Sequence, residues 1–252
     1  AVNLNGDYLY TGSHNGDFII RNEEGKAISQ FYGYVVDGIF QNKTEATSYT
    51  NEHGTAMQPN AQPGDFRYKD LNHDGVINEK DKTYIGNPFP DLMLGVNLNA
   101  SYHRWDIQAQ FYGTFGNDIY NLNRERYFGQ NGSNVMAGTL DKAWHGEGTT
   151  NEYPRLSVND ANQNYTRPSS YFVENGSYFR CKLLQIGYTI PESVLHLCSV
   201  RLSLSAQNLF TITKYSGMDP ETASMGGVTQ AGIDWTGYPN PRTILFGVNV
   251  NF

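Results

Sequence analysis

No run of eighteen apolar residues occurs in this chain, which excludes a transmembrane helix. A β-barrel stays open, because only alternate residues of a barrel strand meet lipid. Basic residues are scarce. The 18 Lys and Arg stand against 25 Asp and Glu, a net charge of -7 that argues against nucleic acid as a partner. No basic, apolar leader stands at Ala1, so an export signal is read as absent or removed, and the start also fits a fragment. Cysteine is nearly lacking, with only Cys181 and Cys198. The strand reading below separates them by roughly 30 Å, and a disulfide needs Cα atoms within about 7 Å, so two free thiols are expected. No Gly-x-Ser-x-Gly, His-Glu-x-x-His or phosphate loop occurs, and no catalytic residue is assigned. The six histidines show no metal-ligand spacing. Acidic pairs such as Glu23-Glu24 and Asp219/Glu221 are the only hint of glycosidase chemistry.

What the chain does have is alternation. Leu92, Leu94, Val96, Leu98, Ala100 and Tyr102 oppose Met93, Gly95, Asn97, Asn99, Ser101 and His103. After a tight turn, Trp105, Ile107, Ala109, Phe111, Gly113 and Phe115 oppose Asp106, Gln108, Gln110, Tyr112 and Thr114. A period of two is a β-strand, and runs of about 11 residues suffice for a tilted strand to cross a bilayer core. Tyr102 and Trp105 fall where an aromatic girdle would sit. Further strands are predicted over Leu184–Ile190, Val200–Gln207, Ile244–Phe252 and Ile28–Val36, with a weaker one near Asp17–Arg21, about six in all. The links 103–104 and 191–199 are short, whereas 37–91, 116–178 and 210–241 are long and rich in Gly, Asn, Asp and Pro. Short turns on one side and long loops on the other are the asymmetry of bacterial barrels, with the long loops extracellular. A short helix from Asp118 to Tyr127, capped by Asn117, is predicted in the middle loop. The fold class is therefore all-β. Six strands are too few to close a membrane barrel, and an open sheet would leave edges in lipid, so residues 1–252 read as part of a larger barrel.

A set of stretches carries a family resemblance: Ile28 to Gln41 (ISQFYGYVVDGIFQ), Pro63 to Asn78 (PGDFRYKDLNHDGVIN), Asp81 to Asn99, and Tyr112 to Asn121. Phe172 to Pro191, Leu202 to Pro220 and Gly237 to Phe252 continue it in order. The sequence resembles the C-terminal part of a SusC/RagA-type TonB-dependent outer-membrane transporter. The resemblance implies a barrel of about 22 strands around an N-terminal plug that this chain lacks. It also implies import of oligosaccharide or peptide, TonB as energy source through the missing part, and a SusD-like lipoprotein lid. The barrel-assembly machinery would read the terminal Phe252. Cys181 stands where a basic or polar residue is expected, which leaves the face of its strand open, and residues 1–27 match poorly.

Residues 70–81 read D-x-N-x-D-G-x-x-N-x-x-D, an EF-hand-like calcium loop. Asp70, Asn72 and Asp74 would give side-chain oxygens and Val76 its carbonyl; Asn78 would bind through water and Asp81 would close the shell. The alternative is a polar Asx-turn loop that holds no metal. Apart from Ca2+ no cofactor is expected. Tyr127, Phe128, Trp144, Trp235 and Tyr238 are candidates for contact with substrate or lid, against simple loop packing; Arg124, Arg126 and Arg155 are similarly ambiguous. The rival reading is a secreted, calcium-braced β-sandwich that binds glycan.

Overall fold

A computed structural model describes residues 8–126, 134–221 and 227–252. In chain order the elements are β1 (Tyr8–His14), β2 (Asp17–Glu23), β3 (Phe31–Gly33), β4 (Val36–Ile39), α1 (Lys43–Ser48), β5 (Phe66–Tyr68) and β6 (Thr83–Gly86). The long hairpin β7 (Leu92–Tyr102) and β8 (Trp105–Phe115) follows, then β9 (Asp118–Asn121), α2 (Asn123–Arg126) and α3 (Thr139–Lys142). The remainder is β10 (Val173–Asn175), β11 (Tyr178–Ile190), α4 (Glu192–Leu195), β12 (Ser199–Thr213), β13 (Ile233–Asp234) and β14 (Thr243–Asn251). They form two compact units.

One unit, Phe89–Asn117, Asn175–Thr222 and Gly237–Phe252, is a five-stranded antiparallel sheet in the order β14-β12-β11-β8-β7. The β7–β8 turn is two residues long, and His103 takes the left-handed φ of 54° that such tight hairpins require. Register lines the faces up across all five strands. Leu98, Ala109, Leu184, Ala206 and Ile244 form one row, and Ala100, Ile107, Ile186, Leu204 and Phe246 the next. The opposite face carries Asn97, Gln110, Leu183 and Gln207, then Asn99, Gln108, Gln185 and Ser205. The apolar face stays open: Leu98 is 56% exposed and Phe246 70%. A soluble sandwich buries that face.

β11 explains the misfit at Cys181. Register slips between Cys181 and Leu183, so Lys182 is an extra residue, a β-bulge. It returns Cys181 to the apolar face opposite Phe111 and Phe210, and sends Arg180 to the polar face opposite Tyr112 and Thr211. Cys181 is buried, and both thiols are free.

The other unit, Ala1–Pro88, Asp118–Glu174 and Ala223–Thr236, holds the sheets β1-β2-β3-β6, β10-β9-β13 and β4-β5. The predicted strand over Ile28–Val36 is thus two short strands in this unit and adds nothing to the long sheet. The predicted helix from Asp118 is instead β9, which pairs in parallel with β13 and buries Ile119 and Tyr120; the helical turn starts only at Asn123. Tertiary pairing overrides the local capping signal there. Asn117 accepts from Thr114 Oγ1 (3.1 Å) and caps nothing.

The core of this unit is aromatic: Phe31, Tyr34, Phe66, Tyr68, Tyr120, Tyr165, Tyr171 and Phe172 pack with Ile19, Ile20 and Ile39. Buried tyrosines need partners for their hydroxyls. Tyr68 Oη donates to the Gln163 carbonyl (2.8 Å), Tyr165 Oη to the Arg155 carbonyl, and Tyr120 Oη lies 3.1 Å from His14 Nδ1. Below them Asp65, fully buried, accepts from Arg155 Nε (2.6 Å), Asn164 Nδ2 (2.9 Å) and the Gln62 amide (2.8 Å). An unpaired carboxylate in that position would cost several kcal/mol.

Candidate functional site

The acidic loop follows β5 and ends in a single 3-10 turn, Glu79–Asp81. Gly75, its sixth residue, has a φ of 78°, and a side chain there would run into Asn51. The loop closes on itself through carboxylate-to-amide hydrogen bonds. Asp70 accepts from His73 N and Gly75 N (both 2.8 Å), and Asp81 from Leu71 N (2.9 Å) and Asn78 N (2.7 Å). Asn78 and Asp81 form a capping box around the turn. The result is that carboxylate oxygens of Asp70, Asp74 and Asp81 lie within 4.8 Å of one another. Among the described residues no Lys or Arg pairs with any of the three. A hydrogen bond from Asn72 Nδ2 (2.8 Å), with help from the Val76 amide and Asn78, holds the Asp74 carboxyl below its ordinary range. The set is hard oxygen only, the donor type for Ca2+ rather than a transition metal.

The other proposed ligands are less committed. Asn72 Oδ1 accepts from Asp74 N (3.0 Å), the Val76 carbonyl accepts from Asn78 Nδ2 (3.1 Å), and Asn78 Oδ1 caps Lys80 N (2.9 Å). Asn78 therefore turns its amide nitrogen to the carboxylates, and its oxygen is not in the cluster.

The aromatic candidates do not share one environment. Trp144 packs on the aromatic core and donates from Nε1 to Gln41 Oε1 (3.3 Å), so it is a packing residue. Trp235 is 47% exposed and Tyr238 87%. Tyr127 and Phe128 lie outside the described residues. Arg124 and Arg155 serve the interior: Arg124 lies 4.2 Å from the Tyr171 ring centroid and pairs with Glu174, and Arg155 holds Asp65. Phe252 is 99% exposed, one residue past the end of β14.

On the polar face of the long sheet, carboxylates are tied to cations. Arg180 binds Asp219 and Glu221 at 2.5 Å each, and Lys182 also binds Glu221. The Asn240 amide donates to Asp219 Oδ2 (2.9 Å). The Asp219/Glu221 pair is a latch holding the segment after β12 to β11, not a free acid and base. Glu23 is likewise taken by Arg21 (3.1 Å) and Tyr84 Oη (2.7 Å). Sequence reasoning missed this latch because the bulge at Lys182, which keeps Arg180 on the polar face, showed in the sequence only as the misfit at Cys181.

Five antiparallel strands, apolar on one face and polar on the other, define a segment of a transmembrane β-barrel. No protein-family model matches the chain. It is 34% identical over 261 residues to the TonB-dependent receptor P3 of Formosa agariphila, covering 98% of this chain and 25% of that protein. It is 25% identical over 241 residues to the TonB-dependent receptor SusC of Bacteroides thetaiotaomicron, covering 94% and 21%. Its fold matches a chain in the solved RagAB peptide transporter with a TM-score of 0.68 at 21% identity, covering 98% of this chain and 24% of that one. The chain belongs to the SusC/RagA type of TonB-dependent receptors, and it spans about a quarter of the length of the curated relatives it matches.

Proposed function

We propose that this chain is wall and outer loops of an outer-membrane importer that takes up oligosaccharide or peptide. TonB powers it through parts outside this chain, and a SusD-like lipoprotein covers it. The observation that carries the reading is the five-stranded sheet whose apolar face leaves Leu98, Ile186, Leu204 and Phe246 solvent-exposed while its polar face holds ordered ion pairs. Lipid covers the first and a lumen wets the second. The chain's own contribution is binding and passage, with no covalent step. The test is fractionation of cells with an antibody to residues 134–174, combined with protease treatment of intact cells. Signal in the outer membrane that surface protease removes supports the reading, and co-purification of a lipoprotein supports the lid. A soluble or secreted signal overturns both.

Ca2+ at Asp70, Asp74 and Asp81 is part of the proposal. When bound, the ion neutralises three converging carboxylates and stiffens an extracellular loop. Asn72 and the Val76 carbonyl complete the shell after giving up their present hydrogen bonds, and Asn78 acts through water. The expected result is a higher melting temperature of the full receptor in Ca2+ than in chelator, lost in Asp70→Asn. An unchanged melting temperature refutes calcium and leaves the barrel reading intact.

A further inference from the structure

A cavity of about 290 Å³ lies in the same unit as the acidic loop, with Met57, Pro59, Asn60, Ile77, Gln163 and Arg167 on its walls. Arg167 is fixed before any ligand arrives. Its guanidinium sits over two tyrosine rings, 4.5 Å from the Tyr34 centroid and 4.9 Å from that of Tyr68. Gln163 Oε1 takes hydrogen bonds from its Nε (3.0 Å) and Nη2 (2.6 Å). Gln163 itself is held in the left-handed region, φ 60°, with its carbonyl accepting from Tyr68 Oη (2.8 Å) and from the Arg167 amide (3.3 Å).

The charge of Arg167 is not answered by any described carboxylate. The carboxylates nearby are spent. Asp160 accepts from the amides of Asn164, Tyr165 and Thr166, and Glu79 pairs with Lys82 at 2.8 Å. Lys82, on the same Tyr34 ring at 5.4 Å, shows the contrast, since Asp17 neutralises it as well at 2.6 Å. Among the described residues Nη1 of Arg167 donates to no acceptor, and the exposed Asn60 side-chain amide has no partner. A pre-set fork with free N–H groups binds an oxyanion, and side-chain amides beside it match hydroxyl groups. The volume is at the small end of ligand pockets, about 300–1,000 Å³, and accommodates one sugar ring.

We infer that this cavity takes an acidic sugar residue, a uronate or a sulfated hexose, with Arg167 on the anionic group and Asn60 and Gln163 on hydroxyls. The inference deepens the import reading by naming a substrate class, acidic glycan, and rests on it for the role but not for the binding.

The experiment uses the full receptor in detergent and follows phenylglyoxal modification of Arg167 by peptide mass spectrometry. D-Glucuronate and glucose 6-sulfate should protect Arg167 saturably, and D-glucose at the same concentration should not. Arg167→Gln should weaken glucuronate binding, read by calorimetry, about tenfold or more for loss of a charge-assisted contact. Protection read on the unaltered protein keeps the test valid if that variant fails to fold. No protection by either anion overturns the inference, as does equal protection by glucose. Equal protection by N-acetylglutamate also overturns it, because the site then reads any carboxylate. These outcomes are independent of cell fractionation, so the site and the import reading fail separately.

Discussion

Asp106 on β8 and Arg201 on β12 pair at 2.5 Å across an intervening strand. They meet because β11 offers Gly187 between them: a Cβ on that glycine would lie on the Asp106 carboxylate and the Arg201 guanidinium. The pair is about one-third exposed on each side, so its own worth is modest, about 1 kcal/mol or less. Gly187→Val should cost more, about 1–3 kcal/mol, because it forces both side chains aside. Gly95, on the same polar face with nothing near its missing Cβ, is the control, and Gly95→Val should be milder. Denaturant unfolding of the reconstituted receptor checks the ranking, and equal costs would refute the steric account.

The two faces of β7 make opposite demands. Leu98→Arg, on the apolar face, should destabilise by about 2–4 kcal/mol if that face meets mid-bilayer lipid. Asn97→Asp, one residue away on the polar face, should cost far less. The same unfolding assay decides, and similar values at both positions would sink the face assignment.

Deleting Lys182 should leave both faces of β11 in place. The deletion removes only the extra residue, so Leu183 and Cys181 become neighbours on opposite faces and Arg180 stays on the polar side, with buried Asp219 still beside its cation. Lys182→Ala keeps the bulge and should assemble as well. Yield of folded, heat-modifiable receptor checks both, and failure of the deletion to assemble would show that the extra residue is itself required.

Asp219 gives the latch a pH dependence. Burial pushes its carboxyl up, but the Arg180 guanidinium and the amides of Glu221 and Asn240 outweigh that and hold it below the ordinary range. A carboxyl lowered in the native state contributes stability that is complete above its unfolded value, about 3.9. That stability is lost as pH falls through the native value. The segment after β12 should therefore stay protected from hydrogen exchange at neutral pH and loosen only in acid below about pH 4. Asp219→Asn should remove the acid step, and an acid step of unchanged size in that variant would assign it to other groups.

Period-two alternation over residues 92–115 and 244–251 determined the long strands, their faces and the tight turn at His103 without help from the rest of the chain. The spacing of oxygen side chains over 70–81 likewise brought Asp70, Asp74 and Asp81 together, because the loop closes through bonds among its own near neighbours. Both signals are local, and local geometry is what a sequence states directly. Tertiary structure alone decided the rest. The bulge at Lys182 is a matter of register against β8 and β12, and Gly187 matters only because Asp106 and Arg201, 95 residues apart, reach over it. β9 formed in place of a helix because Ile119 and Tyr120 find burial against β13, from far down the chain. Arg167 became a fixed cation because two distant tyrosines flank it, while Asp160 and Glu79 are engaged elsewhere and no described carboxylate pairs with it. Each depends on which partner a side chain meets in space, and that is set by the free energy of the whole packed arrangement rather than by any window of residues.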